Sequence, residues 1–599
     1  MSDRTLYSLL EETVSLHGDS PALHQPVGGG KKPNYQVYSW REFRDIAKEI
    51  TVGLSRLGIQ KGDIVALNSE TRAEFYLADF GIMAGGAISA ALYTSYPPAE
   101  LVKTLRASTA KLVFVDTAKA FQALTGAGAG ELGLQWVLFS GQAEGAMTLE
   151  EVRALGRRAM KEKPGIFETL HAAVRPEDHA ILYLTSGATG EPKMGLVTHG
   201  ALVANVDMGP KVIDLSPRDV ILAFLPSAHI AQRIGMELLG VRAGVPVWFS
   251  EGISRLPLEM QSVKPTFFLA PPRVWERIYS SICTEIKKRG PAMQRIFWVA
   301  LGLSLRAGKQ KAEGKALTPW MQASLKLADK IVFTKLRARF GGRMRVPVSG
   351  AAPLGKDLAH FYQAIGMPLV EGYGLTEGGV TTLNPIARIK AGSIGKMLPG
   401  VLWKITDEGE LLLGGPTIFS GYFGDAETTA QVLRDGWLHT GDVAEVDREG
   451  YFYITGRKKE LIVSSNGKKI YPSRIEGLLK MEPIFGQMIL LGDRRPYVSA
   501  LFTLNVAAAE GLRGMESRKG LPLHELAAAE PVLMEVKRAV LKTNKQLAPF
   551  EQIRKFRILE REFTIENGEL TATMKVRRRQ VIENFHHVVG ELYGKDETD

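Results

Sequence analysis

From about Tyr38 to Ile278 the sequence alternates between two textures, and this alternation limits the fold more than any other feature. Short apolar runs bounded by charged or turn residues, such as DIVALNS (63–69) and AKLVFVD (110–116), read as buried strands. Near each lies a longer helical pattern, WREFRDIAKEITVGLSRLG (40–58) or PPAELVKTLRAS (97–108). Strands and helices in turn predict an α/β fold with mostly parallel sheets, because parallel neighbours need a crossover connection. Residues 281–340 read as mainly helical and interrupt the rhythm, which resumes with MRVPVSGAAPL (344–354) and MPLVEGYGLTE (367–377). After Pro399 short strands with Asp/Glu/Gly turns, as in WKITDEGELLLGG (403–415), predict a β-rich subdomain. A polar break at Gly456–Glu460 precedes a final α+β unit. The expected division is residues 1–456, carrying a helical basic insertion at 281–345, and a C-terminal domain at 457–599.

A chain of 599 residues is too long for one hydrophobic core. Its single cysteine, Cys283, excludes an intramolecular disulfide framework and suits a reducing compartment. The N-terminal MSDRTLYSLLEETVSLHGD has acids where a signal peptide needs a basic start, and reads as an amphipathic surface helix. The least polar stretch, Leu77 to Tyr93, contains Asp79 and Gly85-Gly86 and is shorter than the roughly 20 residues of a spanning helix. It reads as a buried helix turning into a buried strand, so the protein is not expected to be integral to a membrane.

Charge is unevenly placed. Residues 281–345 hold fifteen Lys/Arg against three acids, an excess of twelve in a chain whose net charge is +11, so the remainder is close to neutral (11 − 12 = −1). The apolar run Phe297–Leu305 lies inside this segment, between Arg295 and Arg306. Such a pattern suits either an interfacial helix on an anionic membrane or a core helix with solvated ends. No nucleic-acid-reading motif accompanies the charge. The expected location is cytoplasmic, with peripheral attachment to the inner face of the membrane as an option, and the oligomeric state is left open, a homodimer included.

Five stretches carry chemistry. TSGATGEPKMGLVTH (185–199) packs Thr185, Ser186, Gly187, Thr189, Gly190 and Lys193 into a loop whose amides, hydroxyls and ammonium suit phosphate, although it lacks the Gly-Lys-Ser/Thr triplet of a P-loop. EGYGLTE (371–377), after SGAAPL (349–354), offers the face of Tyr373 to a purine, Thr376 to phosphate and the hard carboxylate of Glu377 to Mg2+. WLHTGD (437–442) ends in Asp442, able to accept both ribose hydroxyls. TGRKKELIVSSNGKKIYPSRIE (455–476) and LTATMKVRRR (570–579) complete the set.

In this order and spacing the stretches resemble the adenylate-forming superfamily of acyl-CoA synthetases, luciferases and peptide-synthetase adenylation domains, over nearly the whole chain. FLPSAHIAQR (224–233), KPTFFLAPPRVWERIY (264–279), the helical insertion and LTATMK are similar to the long-chain fatty acyl-CoA synthetases. The resemblance implies an AMP-forming ligase that joins fatty acid to coenzyme A at the expense of ATP with Mg2+, through an acyl-AMP intermediate. It implies that Thr185, Ser186, Gly187, Thr189, Gly190 and Lys193 hold the pyrophosphate, that Gly350, Ala351, Ala352, Tyr373 and Gly374 form the adenine site, and that Thr376 touches the α-phosphate. Glu377 then binds Mg2+, Asp442 and Arg457 hold the ribose, and Lys575 is the catalytic lysine of the first half-reaction. His229 would stand by the reacting carboxylate, and Trp275 would gate an acyl tunnel lined by residues around Val263–Ile278, with core packing as its other reading. The C-terminal domain would swing about Lys459, bringing Gly467 to the pantetheine tunnel.

Two departures from the family pattern stand out. Ala188 replaces a hydroxyl residue, and Met194 follows Lys193 where glycine is usual, which predicts a stiffer loop and a slower ATP step. The competing readings are an enzyme that uses another acid or an acyl-carrier-protein acceptor, and a non-catalytic lipid- or nucleotide-binding relative.

Overall fold

The computed structural model describes residues 4–28, 34–186, 192–515, 520–571 and 574–594. Two large sheets form its body. One has nine strands and includes Ile221–Ala223, Phe267–Ala270, Val346–Ser349 and Val370–Leu375, all parallel to their neighbours in that series. The other has eight strands, with Ile64–Asn68, Ile88–Ala91, Leu112–Thr117 and Gln135–Ser140 pairing in parallel. The expected α/β architecture is therefore present. Ile64–Asn68 is buried at every position, as a strand covered on both faces requires.

Leu77–Tyr93 does what its composition predicts: the helix Ala73–Ala84, buried at every position but Glu74, turns at Gly85-Gly86 into the buried strand Ile88–Ala91. The N-terminal stretch forms the helix Leu6–His17, started by a capping box on Thr5 and Ser8 and laid down through Leu6, Leu9, Leu10 and Val14. Ser39 and Glu42 form a second capping box at the helix Trp40–Arg56.

After Pro399 a five-stranded sheet, mainly antiparallel, includes Trp437–Val446 and Phe452–Arg457. Beyond it the chain makes a short turn of helix at Lys458–Glu460 and builds a three-stranded sheet flanked by helices. The two hydrophobic clusters of this last unit draw only on residues from Ile462 onward, whereas the buried members of the main-body clusters end at Phe452. Among the described residues, no helix is long and apolar enough to cross a membrane.

Candidate active site

The loops that matter leave the carboxyl ends of parallel strands, where open α/β sheets place their ligands. Gly350–Ala352 follows the strand Val346–Ser349, and Thr376 and Glu377 follow Val370–Leu375. Ala351 has φ +69°, a left-handed backbone that costs an L-residue about 1–2 kcal/mol, so the surroundings must impose this turn. One tether is visible: the Leu354 amide donates to Glu371 Oε1 at 2.9 Å. Burial pushes the Glu371 carboxyl up to about 8, so it holds the loop as a neutral acid near pH 7. In the Gly-Tyr-Gly run a side chain on Gly374 would begin 2.6 Å from the Gly379 carbonyl oxygen, which explains the glycine there by close strand approach.

Tyr373 donates its hydroxyl to Asp442 Oδ2 at 2.6 Å, and Arg457 Nε donates to Asp442 Oδ1 at 2.9 Å. Asp442 and Arg457 are cross-strand partners, so strand register brings the acid and the guanidinium together. Burial, then Asp442, holds the Tyr373 pKa well above its ordinary value, and the hydroxyl remains a donor. The tyrosine and the ribose pair of the sequence reading therefore meet in one chain of hydrogen bonds.

Glu377 accepts from the hydroxyl of Tyr422 at 2.6 Å, and the Lys193 ammonium lies 5.0 Å from the centre of the same ring. Tyr422, absent from the sequence reading, thus links the carboxylate to the lysine of the phosphate stretch. It is placed by backbone pairing with Gly195. Thr376 faces the same strand, its methyl 3.6 Å from where a Gly195 side chain would begin. Among the described residues there is no group of three or more His, Cys, Asp or Glu arranged to hold a metal. Glu377 suits a Mg2+ ion whose other ligands are phosphate oxygens and water, as is usual for that ion.

His229 Nδ1 accepts the Ala231 amide at 3.1 Å, which leaves the ring proton on Nε2. Burial, then the charge of Lys575, lowers its pKa to about 3, so the ring is a neutral donor at any working pH. Lys575 comes from the C-terminal unit, and the charges it feels are those of Arg457, Asp442, Glu377 and Glu460. Desolvation, then Arg457, lowers its pKa to about 8. Its side chain is exposed, so it stands at a solvent-accessible surface facing these charges rather than in packed core.

A cavity joins this cluster to apolar walls. His229, Gly350, Ala351 and Tyr373 line it together with Val206, Val212, Ile213, Ile234, Leu239, Phe267 and Leu269. Its walls come from the helix His199–Val212, the turns after His229 and the strands and loops between Val348 and Leu383, with Phe267 and Leu269 the contribution of the 263–278 segment.

Some expectations need correction. Trp275 takes its core reading here: it is fully buried outside the cavity lining, donates from Nε1 to the carbonyls of Ala270 and Val348 at 3.2 Å, and packs edge-on against Phe268 and Tyr362. Met194 lies within the strand Pro192–Thr198, opposite Leu184, so its backbone is held by the sheet rather than by a loop it stiffens. Gly187, Ala188, Thr189 and Gly190 lie outside the described residues, as do the side chains of Thr185 and Ser186. Gly467 sits on an exposed turn at φ +72°, and Lys459 is exposed in the short helical turn. Ala352 is half-buried just beyond the cavity lining.

Sequence reasoning also left Asp79 without a partner. It is ion-paired to Arg233, both fully buried, with Ser89 bonded to the same carboxylate and the Tyr183 and Phe75 rings 5.7 and 5.8 Å from the guanidinium. Glu237 beside them is held protonated, chiefly by burial and then by Asp79. The charged cluster ties the helical turns after His229 to the helix Ala73–Ala84 and the strand Ile88–Ala91.

Comparison with known proteins follows the same lines. A family model described as AMP-binding enzyme matches residues 10–423, and one described as AMP-binding enzyme C-terminal domain matches 459–597. The chain is 35% identical over 586 residues to the long-chain-fatty-acid–CoA ligase FadD15 of Mycobacterium tuberculosis, covering 94% of this chain and 95% of that protein. It is 28% identical over 635 residues to the long-chain-fatty-acid–CoA ligase ACSBG1 of Bos taurus, covering 99% and 86%. The crystal structure of the adenylation domain of a carboxylate reductase from Mycobacterium chelonae superposes with a TM-score of 0.76 at 21% identity, covering 99% and 92%.

Proposed function

The chain belongs to the AMP-binding enzyme family, and from that premise we propose that it is an AMP-forming long-chain fatty acid–CoA ligase using ATP, Mg2+ and coenzyme A. Two half-reactions follow. A fatty carboxylate oxygen attacks the α-phosphorus of ATP, the bond to the β-phosphate bridging oxygen breaks, and pyrophosphate leaves. The thiol sulfur of coenzyme A then attacks the acyl carbonyl carbon, the bond to AMP breaks, and the thiol proton goes to solvent. No covalent bond to the protein is needed, so the residues act by position and charge.

The observation that carries this reading is the setting of Lys575. Its ammonium lies within electrostatic reach of His229, at the cavity, and of Asp442, Arg457 and Glu377 in the proposed nucleotide site. A cation there neutralises the two anions that must approach each other. The neutral His229, with its proton on Nε2, can orient the carboxylate without adding a competing negative charge. Tyr373, Gly350 and Ala351 would cover adenine, with Gly374 needed for the strand approach beneath them and Ala352 alongside. Asp442 and Arg457 would hold the ribose. Thr376 would meet the α-phosphate, and Lys193 with Thr185, Ser186, Gly187, Thr189 and Gly190 the departing pyrophosphate. Glu377 would bind Mg2+, which when present neutralises phosphate charge.

The domain division proposed at 456/457 is supported by hydrophobic clusters whose buried members fall on either side of it, with Met481 of the last unit packed against the main body. Lys459 is the proposed pivot between the two half-reactions, and Gly467 the residue brought to the pantetheine in the second. Work at a membrane surface and a homodimeric state are finer proposals about the same enzyme.

The test is fatty-acid-dependent release of pyrophosphate, measured from acetate to behenate with and without coenzyme A. Release that requires a long chain, with acyl-CoA formed only when coenzyme A is present, is the expected result. Transfer to a carrier protein but not to coenzyme A would replace the acceptor, and no release with any acid would overturn the enzymatic reading.

A further inference from the structure

The helical insertion contains two helices, Pro291–Ala312 and Pro319–Ala328, each of which buries one face and leaves apolar residues on the other. The first packs inward through Phe297, Ala300, Leu301 and Ala307, and Ser304 donates to the Ala364 carbonyl at 2.7 Å. Outward it presents Ile296, Trp298, Val299 and Leu305, with Val299 63% exposed. The second packs through Met321 and Ala328 and presents Trp320, Ala323 and Leu327, a stripe at helical spacing that continues to Ile331. Trp320 is 72% exposed. A soluble surface that turns two tryptophans and several branched aliphatics to solvent on adjacent helices calls for a partner.

The cations around this face are uncommitted. Among the described residues, Arg295, Arg306, Lys309, Lys311, Lys326 and Lys330 take part in no ion pair with a carboxylate. Lys326 and Lys330 stand directly beside the Trp320–Leu327–Ile331 stripe in sequence and flank it on the helix. Fifteen Lys/Arg against three acids in residues 281–345 make the segment strongly positive.

We propose that this face docks on the surface of an anionic phospholipid bilayer, with Trp298, Val299, Trp320 and Leu327 entering the headgroup–acyl boundary and the lysines and arginines meeting the phosphates. The pairing of exposed apolar groups with cations is what such a surface rewards. A second copy of this chain fits less well, since it would press two positive segments together. Nucleic acid would satisfy the cations but give the exposed aliphatic groups nothing to bury against. The enzyme would then meet its substrate where long-chain acids are dissolved, a consequence that rests on the ligase reading, whereas the docking itself does not.

The experiment is flotation of the full-length protein with vesicles of phosphatidylcholine alone and with vesicles of equal parts phosphatidylcholine and phosphatidylglycerol, at low and high salt, with no substrates present. The expected result is flotation with the anionic vesicles only, released by salt, with a blue shift of tryptophan emission on binding. In Lys326→Glu/Lys330→Glu, partitioning should fall by more than about twentyfold, since each juxtamembrane cation contributes roughly fivefold. In Trp320→Ser/Leu327→Ser, partitioning should fall with the net charge unchanged. These positions are exposed, and a circular dichroism melt matching the parent checks that the variants are folded. Absence of flotation with anionic vesicles, or equal flotation of the charge-reversed variant, overturns the proposal, as does a charge-independent dimer that buries this face. Because flotation is read without turnover, its failure would leave the ligase reading standing, and loss of activity would leave the docking standing.

Discussion

If Lys575 supplies the positive charge for adenylation, the first half-reaction must follow its protonation. Its pKa of about 8 is set by desolvation, then by Arg457, against the favourable charges of Asp442, Glu377 and Glu460. Protonated and neutral forms then stand at about ten to one at pH 7 and about one to ten at pH 9, so kcat/KM for acyl-adenylate formation should fall roughly tenfold across that interval. Binding of ATP and fatty acid adds anions that favour the ammonium, and the limb in kcat should lie at higher pH than the limb in kcat/KM. The sign can be checked with a neighbour: Glu460→Gln removes an anion that raises the lysine pKa, so its limb should move to lower pH. The assay is pyrophosphate release without coenzyme A, with acyl-adenylate trapped by hydroxylamine, from pH 6 to 10. Lys575→Gln should lower the plateau by about 10²–10³ and lose the limb, while thioester formation from supplied acyl-adenylate survives. A profile flat to pH 9.5 in kcat/KM, or the same limb in Lys575→Gln, would refute the assignment.

Three further perturbations separate structural from chemical roles. Tyr373→Phe removes the 2.6 Å hydrogen bond to Asp442, worth about 1.5–3 kcal/mol for a charged acceptor, and should raise the KM for ATP tenfold or more with little change in fatty-acid KM; an unchanged ATP KM would separate Tyr373 from the nucleotide. Trp275→Phe strands the carbonyls that now accept its N–H, so thermal unfolding should occur at lower temperature while the chain-length profile stays as it was, whereas a shifted profile would restore Trp275 as a gate. Gly467→Trp should spare adenylation and depress thioester formation. The left-handed φ of +72° at Gly467 adds about 1–2 kcal/mol of backbone strain to any L-residue, so Gly467→Asn, small and tolerant of that conformation, is the control, and equal loss of both half-reactions would count against the two-stage reading.

Much of the fold was legible because it rests on local periodicity. The buried run Ile64–Asn68, the capped helix at Trp40 and the helix-to-strand turn at Gly85-Gly86 each declare themselves within a dozen residues. The motif residues were legible for a related reason. Asp442 and Arg457 lie on neighbouring strands of one hairpin, and Tyr373 and Glu377 lie on one strand and its exit, so short-range chain geometry brings each pair to the same place.

What stayed hidden depends on which distant side chain faces a given group. Asp79 looked like a polar interruption of an apolar run, yet a buried carboxylate has to find a cation, and that cation is Arg233, 154 residues away. Tyr422 carried no motif of its own and gained a role only because its strand pairs beside Lys193 and its hydroxyl reaches Glu377. Trp275 shows the converse. An aromatic in a substrate-flanking segment is consistent with a gate or with a core, and two carbonyls at 3.2 Å decide for the core. The same reasoning bears on Lys575. Its residue type and motif mark it as a candidate, but the depressed pKa that makes it testable comes from desolvation and from Arg457, far earlier in the chain and on the other side of the proposed pivot at Lys459. Rotation of the C-terminal domain would remove both influences together. The lysine should therefore regain an ordinary pKa whenever it leaves the site, which ties its charge state, and not only its position, to the stage of the reaction.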